Sequence, residues 1–260
     1  HLEDSATRQF GQSFNTNSFR DILERMHRTN SGSRNAGLSI TIEDMIRRSV
    51  NAGPRHDEAR QGVSRVNTQI TDATDSLEKL FLTIKTFADN QQTNLSRYER
   101  RIRLTSSLRT QPDWSAIEIL WETAFSFLRE LDKSVEELIE LLEQIAIEES
   151  QQSEWNGIAE ECSAFREALI EQSELFGELL TQHDRERVAW ITTRRNTETA
   201  YLEMAPLHVD QLLQSKLFKR IPAVVLTGAT LTTDECFDYL KQRLGLLEAQ
   251  ETLLGSPFDY

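Results

Sequence analysis

Two stretches of this chain carry residues able to do chemistry. The first is Val224-Val-Leu-Thr-Gly-Ala-Thr-Leu-Thr232, a β-branched apolar run passing into small residues. A strand ending in such a turn can present the Thr227 and Thr230 hydroxyls to a ligand, with the bare backbone of Gly228 and small Ala229 between them. The second is Leu95 to Arg109, which holds five arginines, one Glu and Tyr98. Arg97, Arg101 and Arg103 are of the type that grips a phosphate backbone, and Tyr98 of the type that stacks on a base. The same arginines would suit a solvated connector, ion-paired to acidic helices beside it.

Other constellations are lacking. No G-x-x-x-x-G-K-[ST] phosphate loop occurs anywhere in the sequence. Cys162 and Cys236 are too few for an iron–sulfur cluster, which takes four thiolates, and too far apart for a Cys-x-x-Cys metal site. They read as reduced, largely buried thiols, which favours the cytoplasm. The pairs Glu136-Glu137 and Glu160-Glu161 are adjacent, so on a helix they do not converge on a metal as a nuclease would need. His27, His56, His183 and His208 show no ligand spacing and are placed on surfaces or in connectors. No catalytic residue is therefore assigned within this segment.

The elements that must hold these stretches can be read from composition and period. Glycine (10) and proline (5) are scarce in 260 residues, which points to a largely helical chain. The net charge is −13, which by itself argues against nucleic acid. Gln111 to Asp184 holds 19 acidic residues against three basic ones, Arg129, Lys133 and Arg166, so this region carries −16 and the remainder +3. No apolar run approaches the ~20 residues of a membrane span.

Three apolar stripes alternate steps of three and four, the helical period. They run from Val63 to Phe87, from Ile117 to Ile145, and from Trp155 to Leu180. Packed antiparallel they make a bundle, with a homo-oligomeric coiled coil as the other solution. A short helix is expected from Asn17 to Arg28, capped by Asn17 or Ser18, and a second one behind a capping box at Thr41. After His183 the texture changes. Strands are expected at Arg187–Thr193 and Ala200–Met204, and a helix within 206–218. A buried parallel strand is expected at Pro222–Thr227, a helix at Asp234–Leu244 stopped by Gly245, and a further strand start at Thr252–Leu254. Residues 17–182 thus read as all-α and 187–260 as α/β.

The small motifs after Ala205 occur in a telling order: Ala205-Pro-Leu-His-Val, Leu217-Phe218, VVLTGATLTT, Phe237-Asp-Tyr-Leu, Arg243-Leu-Gly-Leu and Leu254-Gly-Ser-Pro-Phe. This series resembles the XPD/DinG-type DNA helicases, and His1-Leu-Glu-Asp4 resembles the residues just after their DEAH box. The resemblance implies an α-rich α+β chain in which a long antiparallel helical arch bundle is inserted into an incomplete RecA-like α/β domain. Residues 1–16 would end the first RecA-like domain and 17–182 would be the arch. Residues 183–254 would carry the SAT-like motif of the first domain, and 255–260 would open the second.

It implies a parent enzyme that hydrolyses ATP with Mg²⁺, moves 5′ to 3′ on single-stranded DNA and serves in DNA repair. The phosphate loop and the DEAH carboxylates would come from outside this segment, which alone would bind no cofactor, hydrolyse nothing and be monomeric. Thr227, Gly228, Ala229 and Thr230 would couple nucleotide to DNA. Gly228 departs from the family's serine at that position, which puts one hydrogen bond of the motif in doubt. A non-catalytic helical scaffold is the rival reading, and the motif order after Ala205 is something a scaffold would not need.

Overall fold

A computed structural model describes residues 9–27, 37–49, 53–91, 99–148, 152–182, 186–194, 199–228 and 230–255. The chain is an α-rich α+β protein with one small sheet. It divides into two compact units: a helical one, Phe14–His183 with Trp190–Leu202, and a smaller one, His1–Ser13 with Asp184–Ala189 and Glu203–Tyr260.

In the helical unit, α1 (Thr16–Met26) and α2 (Leu38–Arg48) precede three long helices, α3 (Pro54–Asn90), α5 (Pro112–Glu148) and α6 (Gln152–Thr181). A single turn, α4 (Ser106–Arg109), leads into α5. Every residue that ends a stripe read from sequence is buried: Val63, Phe87, Ile117, Ile145, Trp155 and Leu180. The stripes meet within one chain, with α5 packed between α3 and α6. The pairs Phe87–Trp114 and Arg65–Glu137 show that α3 and α5 run antiparallel. Trp121–Phe176 and Asp132–Arg166 show the same for α5 and α6. The link at 149–151 lies outside the described residues.

Phe176 is the centre of the core. Its ring lies 5.4 Å from Phe14, 5.5 Å from Phe19, 5.4 Å from Phe81 and 4.9 Å from Trp121. Four elements therefore close on one aromatic side chain of α6. Cys162 on the same helix is buried, and its thiol is pushed up to about 12 by that burial, with Glu161 adding to the effect. It is a neutral packing residue.

The helix starts differ from expectation. Asn15, not Asn17 or Ser18, caps α1: its side-chain oxygen accepts from the Ser18 amide at 3.1 Å, and its own amide donates to Ser18 Oγ at 3.1 Å. Thr41 caps nothing. It lies inside α2 and donates to the Gly37 carbonyl at 3.3 Å. The buried stripe of α2 begins at Leu38, so burial pulls the helix start ahead of the box. His56, expected on a surface, is buried at the start of α3, where Nδ1 accepts from the Gly53 amide at 3.3 Å.

Strands β1 (Gln12–Phe14), β2 (Glu99–Arg103), β3 (Arg187–Arg194) and β4 (Ala200–Pro206) form one sheet in the order β1-β4-β3-β2. β3 and β4 appear where expected. β2 does not, since its residues read as a connector; it pairs antiparallel with β3, a partner distant in sequence.

The smaller unit holds α7 (Asp210–Lys216), a 3-10 turn (Phe218–Arg220) and α8 (Asp238–Leu244) around a core of Val209, Leu213 and Leu244. Gly245 ends α8 in the left-handed region at φ 72°. A Cβ there would lie 2.6 Å from the Asp210 carbonyl oxygen, so glycine is required twice over. α8 starts at Asp238 rather than Asp234, because Asp234 and Glu235 take φ 51° and 60° in a turn closed between Thr233 and Cys236. Cys236 in that turn is exposed, not buried.

The expected strand at Pro222–Thr227 is absent, as is the one at Thr252–Leu254. Val224, Val225 and Leu226 are exposed, Val225 to 86%. An apolar run becomes an interior strand only where flanking strands take up its N–H and C=O groups, and among the described residues none lies beside it.

Candidate nucleic-acid interface

The basic segment acquires its geometry from the β2–β3 pairing. Arg101 stands opposite Thr192, Arg103 opposite Trp190 and Arg100 opposite Thr193. Side chains of a strand alternate between faces, and directly opposed residues of an antiparallel pair share one. Arg101, Arg103, Trp190, Thr192 and Arg194 therefore share a face, while Arg100, Ile102, Ile191 and Thr193 share the other. On the next strand, the Arg194 guanidinium lies 5.3 Å from the centroid of the Tyr201 ring, which puts Tyr201 on the first face. Ile191, Thr193, Ala200 and Leu202 of the second face are buried.

The first face is the more open one, with Arg101, Arg103 and Arg194 exposed and Trp190 and Tyr201 half-buried, although Thr192 between Trp190 and Arg194 is buried. It joins three guanidinium groups to two aromatic rings within the helical unit. Arginine forks match phosphate oxygens, and aromatic rings offer flat apolar surface to bases. Of the residues singled out from sequence, Arg101 and Arg103 are brought together here. Arg97 and Tyr98 lie outside the described residues. Arg194, Trp190 and Tyr201 were missed, because only the register of β2 on β3 makes them neighbours; the signal was present as an Arg and two aromatics at the two strands around 190 and 201.

Arg109, the last arginine of the segment, is spent elsewhere. Its guanidinium donates to the Leu179 carbonyl at 2.8 Å and to the Leu180 carbonyl, capping the C-terminal end of α6, and sits 5.4 Å from the Trp114 ring centroid. Burial lowers its pKa, an effect that Glu118 opposes. The acidic surface of α5 has cationic partners of its own. Arg166 pairs with Asp132 at 2.6 Å and Glu136 at 2.9 Å, and Arg65 with Glu137 at 2.9 Å. The Asp132 hydrogen bond is the largest cause of the raised pKa of Arg166.

Thr227, Gly228 and Thr230 belong to the smaller unit and are exposed; Ala229 lies outside the described residues. A Cβ on Gly228 would approach Leu231 Cγ no closer than 3.4 Å, an ordinary contact. Space therefore does not demand glycine at 228. Among the described residues, no three His, Cys, Asp or Glu side chains gather as a metal ion would require. No helix among them is long and apolar enough to cross a membrane.

No protein-family model matches the chain. Over 128 residues, 49% of its length, it is 26% identical to the probable ATP-dependent helicase YpvA of Bacillus subtilis (strain 168). The chain has a distant helicase relative. The matched stretch spans 19% of that relative's length.

Proposed function

We propose that this chain is a segment of an ATP-dependent DNA helicase of the XPD/DinG type, working 5′ to 3′ in DNA repair in the cytoplasm. The likeness to a probable helicase over half of the chain carries the reading, and the ordered motifs after Ala205 support its finer assignment. In this reading the helical unit is the arch, inserted into a RecA-like domain to which the smaller unit contributes. Thr227 to Thr230 couple the nucleotide site to the DNA. ATP and Mg²⁺ are held by a phosphate loop and DEAH carboxylates that this sequence does not contain, so the chain alone hydrolyses nothing.

The arch's part is to guide a single strand, and the outer sheet face is where it does so. Its arginines lie outside the acidic stretch from Gln111 to Asp184, whose charge repels phosphate. An arginine that neutralises a phosphate releases a counterion, and removing one such arginine lowers the slope of log affinity against log salt by roughly one unit. In the full-length protein, replacing Arg101 and Arg103 together by Gln is expected to weaken single-strand binding and flatten that slope by about two units. Unchanged affinity and slope would assign both arginines to holding the fold, and the strand-guiding role would fall.

A further inference from the structure

The chain has four tryptophans, and three of them are core residues: Trp114 is 0% exposed, Trp121 4% and Trp155 2%. Trp190 alone is half-buried, and it faces outward beside Arg103 on the sheet. Tyr201, two strands from β2, is also half-buried and carries the Arg194 guanidinium 5.3 Å from its ring centroid. A guanidinium over an aromatic ring can take a further flat ring on its own planar surface.

We infer that Trp190 and Tyr201 form a base-stacking platform that makes this face selective for unpaired nucleotides. The inference rests on the reading of the face as a nucleic-acid surface. Arginines alone attract any phosphate backbone, single or double, because the charge they answer is present in both. Stacking adds something a duplex cannot supply, since its base faces are already covered by neighbouring base pairs. It is also indifferent to sequence, since every base has a π-face. A protein that tracks a strand along its length needs this combination, and base-edge hydrogen bonds would only tie it to particular sites.

The buried state of the other three tryptophans makes the test direct, because a change of indole emission on adding a strand reports Trp190. The 260-residue chain is titrated at low ionic strength with an oligothymidylate of roughly 20 nucleotides and with a blunt duplex of equal length. Saturable quenching by the single strand and none by the duplex is expected. Trp190→Phe should abolish the optical change, and anisotropy of a labelled strand should show it binding more tightly than Trp190→Ala, because a ring remains to stack. Trp190→Ala and Tyr201→Ala should each weaken binding about tenfold, within the range of base–aromatic stacking. Circular dichroism checks that the helices persist; if an alanine variant unfolds, the quenching of the unaltered chain and its loss in Trp190→Phe decide. Salt-sensitive binding with unchanged emission, or alanine variants that bind as the parent does, would overturn the platform and leave the arginine reading standing. Absence of any binding at the lowest salt would overturn both.

Discussion

Two glycines in the smaller unit make opposite predictions. Gly245 combines φ 72° with a Cβ position 2.6 Å from the backbone oxygen of Asp210. Gly245→Ala must therefore strain the left-handed residue, at ~1–2 kcal/mol, and also push α8 away from the start of α7. A lowered melting temperature is expected, with faster amide exchange at Leu213 and Leu244; unchanged exchange there would contradict the packing described. Gly228 has no such constraint, and its added Cβ would meet Leu231 at ordinary distance. Gly228→Ser should leave stability within ~0.5 kcal/mol of the parent, as surface substitutions do, and the melting temperature reads it. The Gly245 requirement was legible as a helix stop, but the approach to Asp210 was not, since it depends on an earlier helix, remote in sequence, folding back on this one.

At the scale of the element, Phe176 ties α6 to β1, α1, α3 and α5. Phe176→Ala opens a cavity where four rings meet and should cost ~3–5 kcal/mol, while Phe176→Leu should cost less. Urea unfolding monitored by circular dichroism measures both, and equal losses would show that the site collapses around any smaller residue. The long helices were readable from sequence because a 3.5-residue period is a local record of a buried face: Val63 to Phe87 and Ile117 to Ile145 need no partner to be recognised. Helix starts were less readable, since the burial of Leu38 and the reciprocal bonding of Asn15 with Ser18 competed with signals at Thr41 and Asn17. Among the strands, β3 and β4 were readable and the others were not. Val224 to Leu226 has the composition of a strand but no strand beside it among the described residues; Arg100 to Arg103 has the composition of a connector and a neighbour in β3. Half of the outer face was thus invisible, because Trp190 and Tyr201 come beside Arg101 and Arg103 only through pairing.

For the whole molecule, the two units differ in how much they bury. The helical unit is built on dozens of apolar side chains along three long helices, the smaller one on Val209, Leu213 and Leu244 with partly covered Phe10, Leu217, Phe218, Leu240 and Leu246. Stability scales with buried apolar surface, so the smaller unit should open first. Hydrogen exchange across a urea series should show α7 and α8 losing protection at lower urea than α3, α5 and α6; coincident loss would mean that the chain unfolds as one cooperative body. The pairing of β2 with β3 has a consequence in time. Arg103 meets Trp190, and Glu99 meets Arg194, only after α5 and α6, which intervene between the strands, have folded back on one another. Pairings between distant residues carry the larger loop-closure cost and form late. The aromatic and basic face is then among the last surfaces to exist during synthesis and refolding, so a chain caught halfway has its helices but not this face.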